Sequence, residues 1–365
     1  MKWKGSSRML DIASLTRQVR RNCTLSDARF AGHYSVCGLV MRLRDLYKWE
    51  HSLDPYEEHA ASQVLDWIGR KETLWETLQE SDFDDLVIDG QRIDPFDTET
   101  VNQLIEPLHL FYGAGYAHSL KPSFLLATID RKSAVNGYPV VFLSKEMARD
   151  LLTLPALTQD DTIVVRQSAA KLYVWDRMLY LNQSGRPFFR FALLACGIAE
   201  KDVGSLRHCL PSVAQVLHDT FLYHEIGELS DRCFNRQIWR DIIATLPHTP
   251  TELLVRTVKD VLADTGPHGT LRHIRKNQQT AALGFYAAFL DGLGKKLFPE
   301  IRATVAGFMT DGDWQAVAAM ISSVHQKAET MAHTIIDLYR NGTRDHDSVW
   351  VNETLNRLYI EPLTA

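Results

Sequence analysis

A histidine and a carboxylate four residues apart share one helix face and can hold one metal ion together. The chain offers that pair in Tyr223-His224-Glu225-Ile226-Gly227-Glu228. His224 and Glu228 are the candidate ligands. Glu225 falls about 100° round the helix, where it can support the metal site or act as a base. His325, Glu329 and His333 keep the same step along another helix and stay within an arc of about 80°. The competing reading of each set is a solvated polar face, the second lying opposite Val324, Ala328, Met331 and Ile335.

The first segment resembles the HExxH helix of the zincins, with Glu228 in place of the second histidine. That likeness is five residues long. Lys48-Trp49-Glu50-His51 and Glu57-Glu58-His59 alternate carboxylate and imidazole around a helix break. Glu106-Pro107-Leu108-His109 supplies one ExxH, where ferritin-like di-metal bundles use two. A non-standard di-metal site from Glu50, Glu106, His109, His224 and Glu228 stays open beside a purely structural use of these residues. His218-Asp219, with His208 upstream, matches only two letters of a helical phosphohydrolase pattern. In Phe111 to Pro122, two glycines sit between tyrosines, ahead of His118 and Lys121. A pocket mouth binding an anion through His118 and Lys121 competes there with close packing around the glycines. No Walker A motif, GxGxxG or GxSxG occurs.

Helical spacing dominates the segments that would position these groups. Leu39, Leu43, Leu46 and Tyr47 form one stripe. A second helix is expected after Asp54-Pro55, and a third from Thr98 to His118. Asp89-Gly90 predicts a hairpin within Leu86 to Ile93. Asn136-Gly137 predicts another, between Phe124–Ile129 and Tyr138–Leu143. Ile163-Val164-Val165 fits a strand or a helix start. From Ser205 to Arg340 the pattern is helical, with a cap at His248-Thr249-Pro250-Thr251-Glu252 and a C-cap signal at Gly342. The expected fold class is mainly α: a multi-helical, bundle-like body with one or two small β-hairpins in the N-terminal half. The expected domains are a helical subdomain with two hairpins at 1–155, an all-helical subdomain at 156–342 and a tail at 343–365, within two domains or one integrated one.

Composition narrows the classes. Among 365 residues, 45% are hydrophobic and 23% charged, and 40 Lys plus Arg stand against 45 Asp plus Glu. The net charge of -5, without a long basic run, argues against nucleic-acid binding. No apolar run reaches the roughly 18 residues of a membrane span, and no apolar segment follows the basic N-terminus as in a signal peptide. Cys23, Cys37, Cys196, Cys209 and Cys233 are odd in number and widely spaced, which fits free thiols in a cytoplasmic protein.

Several segments together resemble a family of uncharacterised bacterial proteins from sulfate- and metal-reducing groups. They are Tyr34 to Leu39 with Arg42 to Glu50, Phe111 to Pro122, Ala148 to Pro155, and Tyr223 to Leu229. The likeness covers most of the chain except its first residues and tail, and it implies no activity. Two readings therefore stand. One is a helical enzyme with a His/Glu site for iron, manganese or zinc: His224, Glu228 and Glu50 are ligands, and Glu225, His118 and Lys121 are catalytic groups. The other is a non-catalytic interaction or regulatory protein. It would bind a protein partner, or a second copy, through the tail around Val349, Trp350 and Val351.

Overall fold

The computed structural model describes residues 10–117, 120–199, 205–344 and 347–363. His118 lies outside them. The chain begins with α1 (Ile12–Phe30), α2 (Val36–Glu50), α3 (Ala61–Glu76), β1 (Leu86–Ile88), β2 (Gln91–Ile93) and α4 (Thr98–Ile105). Five strands follow: β3 (Leu110–Tyr116), β4 (Pro122–Val135), β5 (Tyr138–Arg149), β6 (Ala156–Gln159) and β7 (Thr162–Arg166). Next come α5 (Gln167–Leu179), α6 (Arg186–Ala195), α7 (Leu206–Ser230), α8 (Arg236–Thr245), α9 (Pro250–Thr265) and α10 (Thr270–Lys276). The last helices are α11 (Thr280–Phe289), α12 (Gly292–Leu297), α13 (Pro299–Asp311), α14 (Trp314–Arg344) and α15 (Ser348–Leu355). No described helix is long and apolar enough to cross a membrane.

Strands β3 to β7 form one sheet in the order β3-β4-β5-β7-β6, and β1 pairs with β2 separately. That five-stranded sheet overturns the expected mainly α, bundle-like body with small hairpins. The helix expected from Thr98 to His118 ends early. Asp97 caps its start, accepting from the Thr100 N–H, and Pro107 cannot donate to the ladder. His109 then turns the chain at a φ of 56°. The aromatic, glycine-containing segment from Leu110 pairs antiparallel with β4, Leu110 opposite Thr128 and Tyr116 opposite Pro122. The ExxH segment is thus a helix end followed by a strand, and Glu106 pairs with Lys132. Asp54-Pro55 opens a turn, and α3 begins only at Ala61.

The chain divides into two compact units: residues 1–134, 139–154 and 166–172 form the first, and 135–138, 155–165 and 173–365 the second. In the first, Leu15, Val19 and Cys23 recur at helical spacing on α1 and pack with Leu86, Ile88, Val101, Ile105 and Tyr112. Leu25 and Ala28 continue the face toward Leu43, Leu46, Tyr47, Trp67 and Trp75. This interior also holds charge. Lys121 Nζ lies 2.8 Å from Asp27 Oδ1, which also accepts from the Leu151 N–H. Arg166 Nε donates to Glu146 at 2.7 Å.

In the second unit, α9 packs on α7 and α14, and α6 packs on α11. Thr249 caps α9 by accepting from the Glu252 N–H, while Glu252 Oε2 accepts from the His248 N–H. On α14 the stripe Val324, Ala328, Met331 and Ile335 is buried and His333 is exposed. That helix runs on past Gly342. A Cβ at Gly342 would lie 2.1 Å from Val351 Cγ2, so the glycine admits the returning tail and does not cap the helix. Val351 and Leu355 are buried within this unit, whereas Val349 and Trp350 are exposed.

Candidate metal centre

The centre is built where α7 meets α9. A Cβ at Gly227 would fall 2.1 Å from the Ala263 carbonyl oxygen, so only glycine permits this approach. The crossing sets two four-residue steps face to face: His224 and Glu228 on α7, Asp260 and Asp264 on α9. One ligand atom each from His224, Glu228 and Asp260 lie within 4.8 Å of one another. Among the described residues, no other group of three or more His, Cys, Asp or Glu side chains meets that test.

The surrounding bonds orient the set. His224 Nδ1 sits 2.9 Å from Asp264 Oδ1, and Asp264 Oδ2 accepts from the Tyr286 hydroxyl at 2.8 Å. With Nδ1 held by a carboxylate, Nε2 is the ring nitrogen aimed at Glu228, 3.9 Å away. Metal-binding histidines are commonly fixed in this way. Lys259 Nζ lies 2.5 Å from Glu228 Oε1. Asp260 opens the group to solvent. Glu225 is buried and accepts from the Thr158 hydroxyl at 2.8 Å.

The electrostatics follow from four carboxylates in a small volume. Burial disfavours the His224 imidazolium, but the carboxylates of Asp264, Glu228 and Asp260 together outweigh it and raise the pKa well above the usual value. Burial, then the Glu228 charge, pushes the Glu225 carboxyl up to about 7. Burial would also raise Glu228, but the Lys259 ammonium holds it below the usual range.

Because Glu225 titrates near 7 when folded and near 4.3 when unfolded, its contribution to stability is full below about pH 4 and is lost as pH rises through 7. Glu225→Gln keeps an oxygen for Thr158 and removes the charge. The metal-free variant is expected to be about 1–3 kcal/mol more stable than the unaltered protein at pH 8, with the gap closing toward pH 5. Urea unfolding in a chelator at both pH values measures this. An identical pH dependence in the two proteins would remove the buried charge from the account.

The other sequence-derived candidates have partners of their own. Glu50 belongs to the first unit, where its carboxylate accepts from Trp67 Nε1 at 2.8 Å and from Lys71 Nζ. Lys121 is buried against Asp27 and offers no ammonium at a pocket mouth. His325 contacts Thr265 Oγ1 at 3.0 Å, with Glu329 3.5 Å away. His218 and His273 flank Asp219 at 3.5 and 3.7 Å. Lys259, Asp260, Asp264 and Tyr286 are parts of the centre that sequence reasoning passed over. Their one legible signal is the Asp260–Asp264 step, which repeats the spacing of His224 and Glu228.

Residues 14–166 match the N-terminal domain of a family of unknown function, DUF6866, and residues 171–357 match its C-terminal domain. No curated protein and no solved structure matches the chain.

Proposed function

Since the chain belongs to the DUF6866 family, whose domain descriptions state no activity, we propose from geometry that its second unit is a divalent-metal site serving an enzyme. His224 Nε2, Glu228 and Asp260 are the ligands. The observation that carries this is the Asp264–His224 pair, which holds Nδ1 and leaves Nε2 3.9 Å from Glu228, to give up its proton when a metal binds. One nitrogen and two oxygen donors suit manganese, iron or zinc, and three protein ligands leave positions for water or substrate. A metal so held supplies Lewis acidity. Glu225, buried on the same turn, is the group placed to take up a proton.

The test uses tag-free protein stripped of metal and titrated with Mn²⁺, with free Mn²⁺ read by electron paramagnetic resonance. One site per chain is expected. Affinity should fall at least about 100-fold in His224→Gln and about 10- to 100-fold in Asp264→Asn. Absence of binding, or binding indifferent to His224→Gln, would refute the metal site.

A further inference from the structure

Lys259 is the cation that Glu228 holds when no metal is present. Its ammonium is 2.5 Å from Glu228 Oε1, its side chain is 10% exposed, and it stands 4.9 Å from the Trp239 ring centroid. Arg256, one turn earlier on α9, lies over the same ring at 5.4 Å and is paired with Glu252 at 2.8 Å. A divalent ion at His224, Glu228 and Asp260 would take over the Glu228 carboxylate. The ammonium would then lose its charged partner in a place with little water, and a charge so placed needs another partner. The ammonium itself lies against the Trp239 ring and beside a ligand carboxylate, so it borders the proposed metal position. The residue is therefore a proton-rich donor next to a metal that has room for one more oxygen.

We propose that the substrate or ligand of this centre is an oxyanion, ligating the metal through one oxygen and accepting from Lys259 Nζ through another. This rests on the metal reading above. A compact ammonium suits such a ligand as a point charge with three donors. The acidic surroundings give the interaction an order. Without metal, Glu228, Glu225, Asp260 and Asp264 repel an anion and Glu228 occupies the lysine. With metal, that repulsion is offset and the lysine is released.

Inorganic phosphate is the probe, titrated into Mn²⁺-loaded protein and followed by paramagnetic broadening of its ³¹P resonance and by calorimetry. Saturable phosphate binding is expected only with Mn²⁺ present. Lys259→Met should retain Mn²⁺ at least as tightly, since Glu228 has lost its competing cation. It should bind phosphate at least about 10-fold more weakly, and Lys259→Arg should restore most of that loss. Mn²⁺ binding without phosphate binding, phosphate binding that needs no metal, or equal phosphate binding in Lys259→Met would each overturn the oxyanion assignment and leave the metal site standing. Failure to bind Mn²⁺ at all would overturn both.

Discussion

Replacing Gly227 with alanine is expected to destabilise the second unit by about 3 kcal/mol or more and to weaken metal binding at the same time. The added methyl group would sit 2.1 Å from the Ala263 carbonyl oxygen. Backbone atoms cannot swing aside as a side-chain tip can, so α7 and α9 must separate or rotate. Either movement shifts His224 and Glu228 relative to Asp260 and Asp264, whose bond to His224 is 2.9 Å long. Thermal unfolding with and without Mn²⁺ measures both effects. A melting temperature and Mn²⁺ affinity equal to those of the unaltered protein would show that the close crossing does not build the site. Gly307 is the control: nothing lies within 4 Å of a Cβ there, and alanine at that helical position should be neutral or stabilising.

The other large effect lies in the first unit. Lys121→Met is expected to cost about 3–5 kcal/mol, because it leaves Asp27 buried and without its counter-charge. In the unaltered protein burial opposes the Lys121 charge, but Asp27 and then Asp150 outweigh it and raise the lysine pKa. Removing the lysine takes away the cation that favours ionised Asp27. Burial already raises the Asp27 carboxyl to about 6 in the unaltered protein, and without the lysine it rises further above its unfolded value. That contribution is present at low pH and lost as pH rises, so the damage should be greatest at neutral pH and partly relieved on acidification. Asp27→Asn combined with Lys121→Met should recover most of the loss. Urea midpoints of the two single variants and the double variant test this. Additive losses would show that the two residues do not act as a pair.

These two contacts also mark the limit of sequence reading. Turn chemistry was legible because it is local. Asp89 and Gly90, like Asn136 and Gly137, take the positive φ values that their residue types favour, and the flanking residues are strands. The cap at Thr249 was legible for the same reason. The start of β3 was not, because Leu110 to Tyr112 are all buried and show no alternation to separate strand from helix. The full sheet was hidden because β4 and β5 read as an isolated hairpin, and nothing local in β3, β6 or β7 says that they extend it. In the centre, His224, Glu225 and Glu228 carried a recognisable spacing. Asp260 and Asp264 carried the same spacing without drawing attention, because two such steps acquire meaning only when helices cross. Lys121 and Asp27 are 94 residues apart, and no spacing rule reaches that far. Glu50 had the right chemistry for a ligand, but its neighbours Trp67 and Lys71 take both carboxylate oxygens.

Anomalous diffraction from crystals soaked in Mn²⁺ tests most directly whether His224, Glu228 and Asp260 bind one divalent ion. The expected map has a peak about 2.0–2.3 Å from His224 Nε2 and from a carboxylate oxygen of each acid, with Lys259 Nζ moved off Glu228. A map with no peak among these three side chains, under conditions where Mn²⁺ occupies other positions in the crystal, would contradict that binding.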